Sequence, residues 1–255
     1  MSYSTLLFHP GPRVASIVLN RPPLNIIDLQ MLDELNAVWT EVEDLKAQVV
    51  VISGAGERAF SAGVDVADHE PGKIEIVLEK FHRIILRMRR ADCISIAAIH
   101  GYALGGGAEL AMICDLVVAA DNTQIGQPEI GLGCYPPVAV SYLPGAIGFH
   151  KASEMVLIGE PVSATDAERL GIINKVVPRE RMTETVDAYV DKLLTKSSVV
   201  LALTKRALLE GAGRHFEDAL DRAHELYVRD LTRTEDMREG MAAFLEKRPP
   251  AWKNR

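Results

Sequence analysis

The sequence predicts an α/β fold in which short apolar strands alternate with amphipathic helices and a purely helical tail follows. Three observations carry this. Runs rich in β-branched residues recur at Arg13–Asn20, Gln48–Gly54, Cys93–Gly101 and Asp115–Ala120. Two of the stretches between them carry apolar residues at helical spacing. From Arg179 onward only helical patterning is left. Strand, helix, strand in that order is a crossover unit, and its repetition predicts a parallel sheet.

Each element follows from local chemistry. "RVASIVLN" alternates and reads as a strand, and "RPPLN" (Arg21–Asn25) ends it, because proline removes a backbone donor. Leu29, Leu32, Leu35, Val38, Trp39, Val42 and Leu45 form one face of a helix over Leu29–Leu45. "QVVVISG" is apolar throughout, as a strand buried on both faces would be. "AGERAFSAGVD" (Ala55–Asp65) reads as a glycine-punctuated loop. Lys73–Arg90 is an amphipathic helix with Ile74, Val77, Leu78, Phe81, Ile84, Ile85 and Met88 on one side. After the strand "CISIAAIHG", the glycine run Gly105–Gly107 leads into a further helix, then "DLVVAA" returns as strand, with a short strand at Thr123–Ile125. Helical stretches reach Leu170, and "NKVVP" (Asn174–Pro178) is the last strand. In the tail, Phe216, Leu220, Ala223, Leu226 and Tyr227 make an apolar stripe along Phe216–Leu231.

Composition narrows the function. The chain has 255 residues, 48% of them hydrophobic, which suits one large aliphatic core. A formal net charge of −7 argues against a nucleic-acid surface. No apolar run approaches a membrane span, and "MSYSTLLFHPGPR" lacks the basic start and long apolar stretch of a signal peptide, so a cytoplasmic protein is expected. Cys93, Cys114 and Cys134 are odd in number and have no CxxC spacing, which fits free thiols. The seven histidines form no ligand cluster, so no metal site is expected.

The glycine run raises the first question of chemistry. It is no phosphate loop: GK[ST] is missing, and Leu110 stands where a dinucleotide fingerprint has its third glycine. Close packing on a strand would explain one glycine but not three. Backbone N–H groups at a helix start have no intrahelical partner and favour negative charge, so the run could cradle an anion. "SAGVD" (Ser61–Asp65) is either a plain turn or a second source of such donors, and two loops converging on one oxygen would make an oxyanion hole. Glu109 is either an ordinary first-turn acid or a carboxyl facing the apolar "LAMIC". Glu129, in "GQPEIGLG", is either a solvated loop acid or its partner in acid/base work.

Taken together, "VLNRPPLN" (Val18–Asn25), "AFSAGVD" (Ala59–Asp65), "IHGYALGGGAELAMICDLVVA" (Ile99–Ala119), "GQPEIGLG" (Gly126–Gly133) and "SATDAERLGIINKVVP" (Ser163–Pro178) resemble the crotonase superfamily, the enoyl-CoA hydratase/isomerase family. The resemblance runs through nearly the whole chain, in order. It implies a crotonase-like fold of repeated ββα units over residues 1–198, with a C-terminal helical region, 199–255, for oligomer contacts and site capping. The oligomer would be a trimer or a dimer of trimers. It implies an acyl-CoA thioester as substrate, no separate cofactor, and two backbone donors for the thioester oxygen at Val64 and Gly106. Ala62, Gly105, Tyr135 and Pro137 would line the substrate site. Glu109 would activate water and Glu129 would protonate the enolate carbon. Retaining both acids favours hydration over the family's isomerases. A non-catalytic homologue that binds RNA or protein fits less well with the charge and the paired acids.

One stretch departs from the family. Where ordinary hydratases continue "QPEI" with a run resembling PGAGGTQR, this chain has "CYPPVAVSYLP" (Cys134–Pro144). Pro137 stands where those enzymes offer a glycine N–H to the catalytic water, and proline has none. With "PPLNIIDLQML", this run resembles cyclic dienoyl-CoA hydratases, so the expected substrate leans to cyclohexa-1,5-diene-1-carbonyl-CoA. Arg21 and Arg58 are the basic residues considered for the nucleotide end of coenzyme A.

Overall fold

The computed structural model describes residues 3–70 and 72–255; Met1 and Ser2, the start of the segment read for a leader, lie outside them, as does Pro71. Two sheets organise the core. The larger has six strands in the order β1 (Leu6–His9), β2 (Val14–Leu19), β3 (Val49–Gly54), β5 (Ile94–Ile99), β7 (Leu116–Ala120) and β10 (Lys175–Val177). Only β1 and β2 pair antiparallel. The smaller sheet runs β4 (Ala59–Ser61), β6 (Tyr102–Leu104), β8 (Gln124–Gly126), β9 (Val162–Ser163), with β9 antiparallel.

The chain visits the two sheets alternately. β3 and β4 precede α2 (Ile74–Arg90), β5 and β6 precede α3 (Gly106–Met112), and β7 and β8 precede α4 (Pro137–Ile147). These are three ββα units in succession. The segment read as a loop over Ala55–Asp65 therefore contains a strand, β4. β1, β6 and β9 were also unforeseen, since strands of two to four residues are too short to show a period.

The apolar strands are buried on both faces, as their composition requires. Val50, Ile52, Ala97, Val117 and Ala119 join the main core, which includes α1 (Leu29–Leu45) and α2. Val49, Ile96, Val118 and Ala120 point the other way, onto Met182, Val186 and Val190 of α7 (Met182–Leu194). α1 starts where Asp28 accepts the Met31 amide at 2.9 Å, a cap worth about 1 kcal/mol.

After α4 come α5 (Phe149–Ile158), α6 (Ala164–Leu170), α7, then α8 (Ser198–Gly211), α9 (Phe216–Arg229) and α10 (Glu235–Leu245). The division at 198/199 falls at the start of α8. One side chain moors that helix. Lys205, buried, donates to the carbonyls of Met88 and Cys93 at 3.1 and 3.0 Å and to Asp115 at 2.9 Å. Asp115 also accepts the Ser95 amide and hydroxyl. Removing either partner of such a pair strands the other's charge, at about 3–5 kcal/mol. The α9 stripe behaves differently from its pattern: only Leu226 is buried, while Phe216 is 73% exposed. Among the described residues no helix is long and apolar enough to cross a membrane.

Candidate active site

The three glycines ahead of α3 have three separate causes. Gly105 lies at φ 51°, the left-handed region that favours glycine, and a Cβ there would meet the Glu129 carboxylate at 2.5 Å. A Cβ on Gly106 would press on the Val64 side chain at 2.7 Å and lie 3.6 Å from the Val64 nitrogen. Gly107 packs on Ser61, whose carbonyl a Cβ would meet at 2.4 Å. Close approach accounts for all three, but only Gly107 packs on backbone, while Gly105 and Gly106 face the side chains of Glu129 and Val64. Those two keep open the space between the helix start and the loop after β4.

That loop is fixed from the α1 side. Ile27 donates to the Gly63 carbonyl and accepts from the Asp65 amide, both at 2.9 Å. This leaves the amide between them, Val64 N, without an acceptor among the described residues. Gly106 N is in the same position, because the first amide of α3 has no intrahelical partner; its neighbour Gly105 N is spent on the Gly126 carbonyl. Two unpaired amides from separate segments thus stand across one narrow gap.

The gap opens into a cavity of about 380 Å³. All eight residues singled out in the sequence line it: Ala62, Val64, Gly105, Gly106, Glu109, Glu129, Tyr135 and Pro137. Its apolar wall includes Ile74, Val77, Leu78 and Phe81 of α2. Arg21 and Arg58 lie outside it; Arg21 pairs with Asp28 at 2.6 Å, and Arg58 is exposed at the start of the smaller sheet.

Glu109 is 3% exposed, one turn into α3. Burial pushes its carboxyl up to about 7, and the charge of Glu129 adds to the rise; the amides of Ala139 and Val138 oppose it. Ala139 N donates to Glu109 Oε1 at 2.8 Å. Pro137 is the first residue of α4, where proline costs no helical bond, and the free amides that follow it turn onto Glu109 itself. Glu129 sits on a 3-10 turn, Pro128–Leu132. Burial raises its carboxyl too, against the pull of its own amide and of His69. Its Oε2 is shut off from solvent with no partner.

Sequence reasoning missed the α4 amides and His69, which also lines the cavity. The "PPVAV" run could have signalled the first as a proline-led helix start. Nothing in the sequence marks His69, since its neighbours there are not its neighbours in space. Chemically, the arrangement offers two donors for a developing oxyanion, beside two carboxyls that burial shifts toward the protonated form.

Residues 11–255 match the model of the enoyl-CoA hydratase/isomerase family. The chain belongs to that family. It is 37% identical to a probable enoyl-CoA hydratase of Mycobacterium tuberculosis over the full length of both chains. It is 33% identical to a crotonyl-CoA hydratase of Syntrophomonas wolfei over 97% of each. The crystal structure of an enoyl-CoA hydratase from Bacillus anthracis superposes with a TM-score of 0.92 at 30% identity, covering 99% of this chain and 100% of the other. The crotonase fold of this enzyme family thus extends through the C-terminal helices.

Proposed function

We propose that the protein is an enoyl-CoA hydratase that adds water across the double bond of a conjugated acyl-CoA thioester. The observation that carries this is the pairing of two carboxyls, one buried and one half-buried and both shifted toward the protonated form, with two unpaired amides on one cavity. In this reading the thioester oxygen accepts from Val64 N and Gly106 N. Glu109, ionised, takes a proton from water as its oxygen bonds the electron-poor carbon. The electron pair of the double bond moves toward the thioester oxygen, where the two amides stabilise it. Glu129 gives its proton to the enolate carbon, and return of one proton from Glu109 to Glu129 restores the site. No electrons are transferred, so the reaction asks for no redox cofactor; coenzyme A is part of the substrate. Free Cys93, Cys114 and Cys134 favour a cytoplasmic setting.

A second, finer reading rests on Pro136 and Pro137. They stiffen the wall beside Tyr135, and a rigid wall lowers the entropy lost on binding a flat, rigid acyl group. This favours a cyclic conjugated diene, with water added further from the thioester than in crotonyl-CoA. Oligomerisation as a trimer or dimer of trimers belongs to the same proposal. Leu208, Phe216, Phe244 and Leu245, each 72% exposed or more, supply apolar surface for it. Sedimentation of the purified protein as a monomer would remove this part.

The test is a thioester panel, linear and cyclic, followed by loss of enoyl absorbance and gain of one water in the mass spectrum. Double-bond migration without added water would make the protein an isomerase. Comparing kcat/KM for crotonyl-CoA and cyclohexa-1,5-diene-1-carbonyl-CoA decides between the two substrates.

A further inference from the structure

We propose that His69 is a positioning residue that sets the protonation of Glu129, so that the proton donor of the site is a histidine–glutamate pair rather than a lone carboxyl. The inference rests on the hydratase reading for its kinetic consequence, but not for its physical basis.

The geometry is as follows. His69 ends the 3-10 turn Val66–His69 that follows the Val64 loop. Its Nδ1 lies 2.9 Å from the Asp65 carbonyl oxygen, which can only accept, so Nδ1 carries hydrogen and Nε2 is the atom free to gain or lose a proton. The ring lines the cavity with Glu129. The two acids of the site differ in support. Glu109 has the Ala139 amide on Oε1. Glu129 Oε2 has no partner, so the state of that carboxyl is exposed to whatever charge faces it.

The groups that face Glu129 are few. Glu109 comes from α3 and Cys134 from the loop before α4, and both disfavour a second negative charge beside them. α2 brings only Ile74, Val77, Leu78 and Phe81 to the cavity. The cationic influence comes from His69, which favours the carboxylate. The acids nearest His69 in sequence are already engaged. Asp65 accepts the Ala67 amide at 3.0 Å, Asp68 the Leu29 amide at 3.3 Å, and Glu70 pairs with Lys73 at 3.1 Å.

Among the residues lining the cavity, only the imidazole of His69 is of a kind that can carry positive charge near neutrality. A positive charge on His69 favours the Glu129 carboxylate, so Glu129 ionises at lower pH beside it than it would alone. Hydration needs Glu129 protonated, and the reverse dehydration needs it ionised. His69 therefore lowers both the alkaline limb of hydration and the acid limb of dehydration.

The experiment uses His69→Asn, whose amide can still donate to Asp65 but carries no charge. Carbon-13 NMR titration of the side-chain carboxyls in the full-length protein without substrate, assigned by Glu129→Gln, should show Glu129 ionising about 0.5–1 pH unit higher in the variant. An unchanged Glu129 titration overturns the proposal, whatever the substrate proves to be. On the active enzyme, both pH limbs should move upward together while KM changes little. A rise in KM with both limbs fixed makes His69 a plain wall residue and also overturns it. If neither protein hydrates any thioester, the NMR titration alone still decides.

Discussion

Glu109 grows from a helix whose seven residues are all buried, whereas Glu129 sits on a 3-10 turn with no buried residue. Both carboxyls face one cavity and both are raised by burial. Glu109 is clamped by an amide from α4 and sealed in the core. Glu129 has a blind oxygen and a histidine for company. A pair that must hold one proton between them benefits from this inequality. In the proposed hydration both acids change their proton; the Ala139 amide fixes the geometry of Glu109, while Oε2 of Glu129 has no such anchor.

The largest effects should come from deleting either acid. Glu109→Gln and Glu129→Gln should each lower kcat for hydration by about 10²–10⁴ while binding of a saturated acyl-CoA persists. The double variant should fall little further, because the two act as a unit. Near-full turnover in either single variant would remove that residue from the pair.

Next comes the gap between the loops. Gly106→Ala would place a methyl against Val64, in the space assigned to the thioester oxygen. A loss of about 10²–10³ in kcat/KM is expected, comparable to losing one oxyanion donor. Proline at Gly106 is a poorer probe than its tolerance at helix starts suggests, since its ring would meet the same side chain.

A thermodynamic test separates the sealed acid from the open one. Glu109 stands at about 7 in the fold against an ordinary 4.5. Between those values the folded protein binds more protons than the unfolded chain. Its contribution to stability is therefore greatest below about 4.5 and is lost as pH rises through about 7. The loss is on the order of 3 kcal/mol. Urea unfolding at fixed protein concentration should show Glu109→Gln gaining stability relative to the parent as pH rises over that window. A flat difference would contradict the raised carboxyl.

The smallest effect is expected at Pro137. Pro137→Gly adds an N–H and loosens the start of α4, which disturbs the anchor of Glu109 and leaves Glu129 alone. Folding should weaken by about 0.4–1 kcal/mol. The ratio of kcat/KM should shift a few-fold toward crotonyl-CoA, on the order of 1 kcal/mol. No shift would mark the prolines as neutral to substrate choice.

Much of this was legible in the residues. β2, β3, β5, β7 and the amphipathic α1 and α2 announce themselves because long runs show a period. Most of the second sheet does not: β4 and β6 have three residues each, and only β8 shows as a short strand at Thr123–Ile125. At the site, side-chain carboxyls and glycines are visible as letters. A backbone amide is not: the donor that holds Glu109 belongs to Ala139, a residue with no chemistry of its own. The proline at 137 drew attention to an N–H that is missing, while the working donors lay one and two residues on. In the sequence His69 bears only on metal spacing, and six elements separate its turn from the one that brings Glu129 to the same cavity.

The buried Lys205 has a consequence for how the protein is made. Its carboxylate partner Asp115 precedes it by 90 residues. At about 5–20 residues per second, synthesis reaches the lysine roughly 5–20 s after the aspartate. During that interval the sheet can assemble, but Asp115 keeps only the amide and hydroxyl of Ser95 to balance its charge. The nascent chain thus carries an unfinished seam at the start of β5 and β7 until its last quarter emerges. A ribosome stalled before α8 would present that seam to chaperones and proteases.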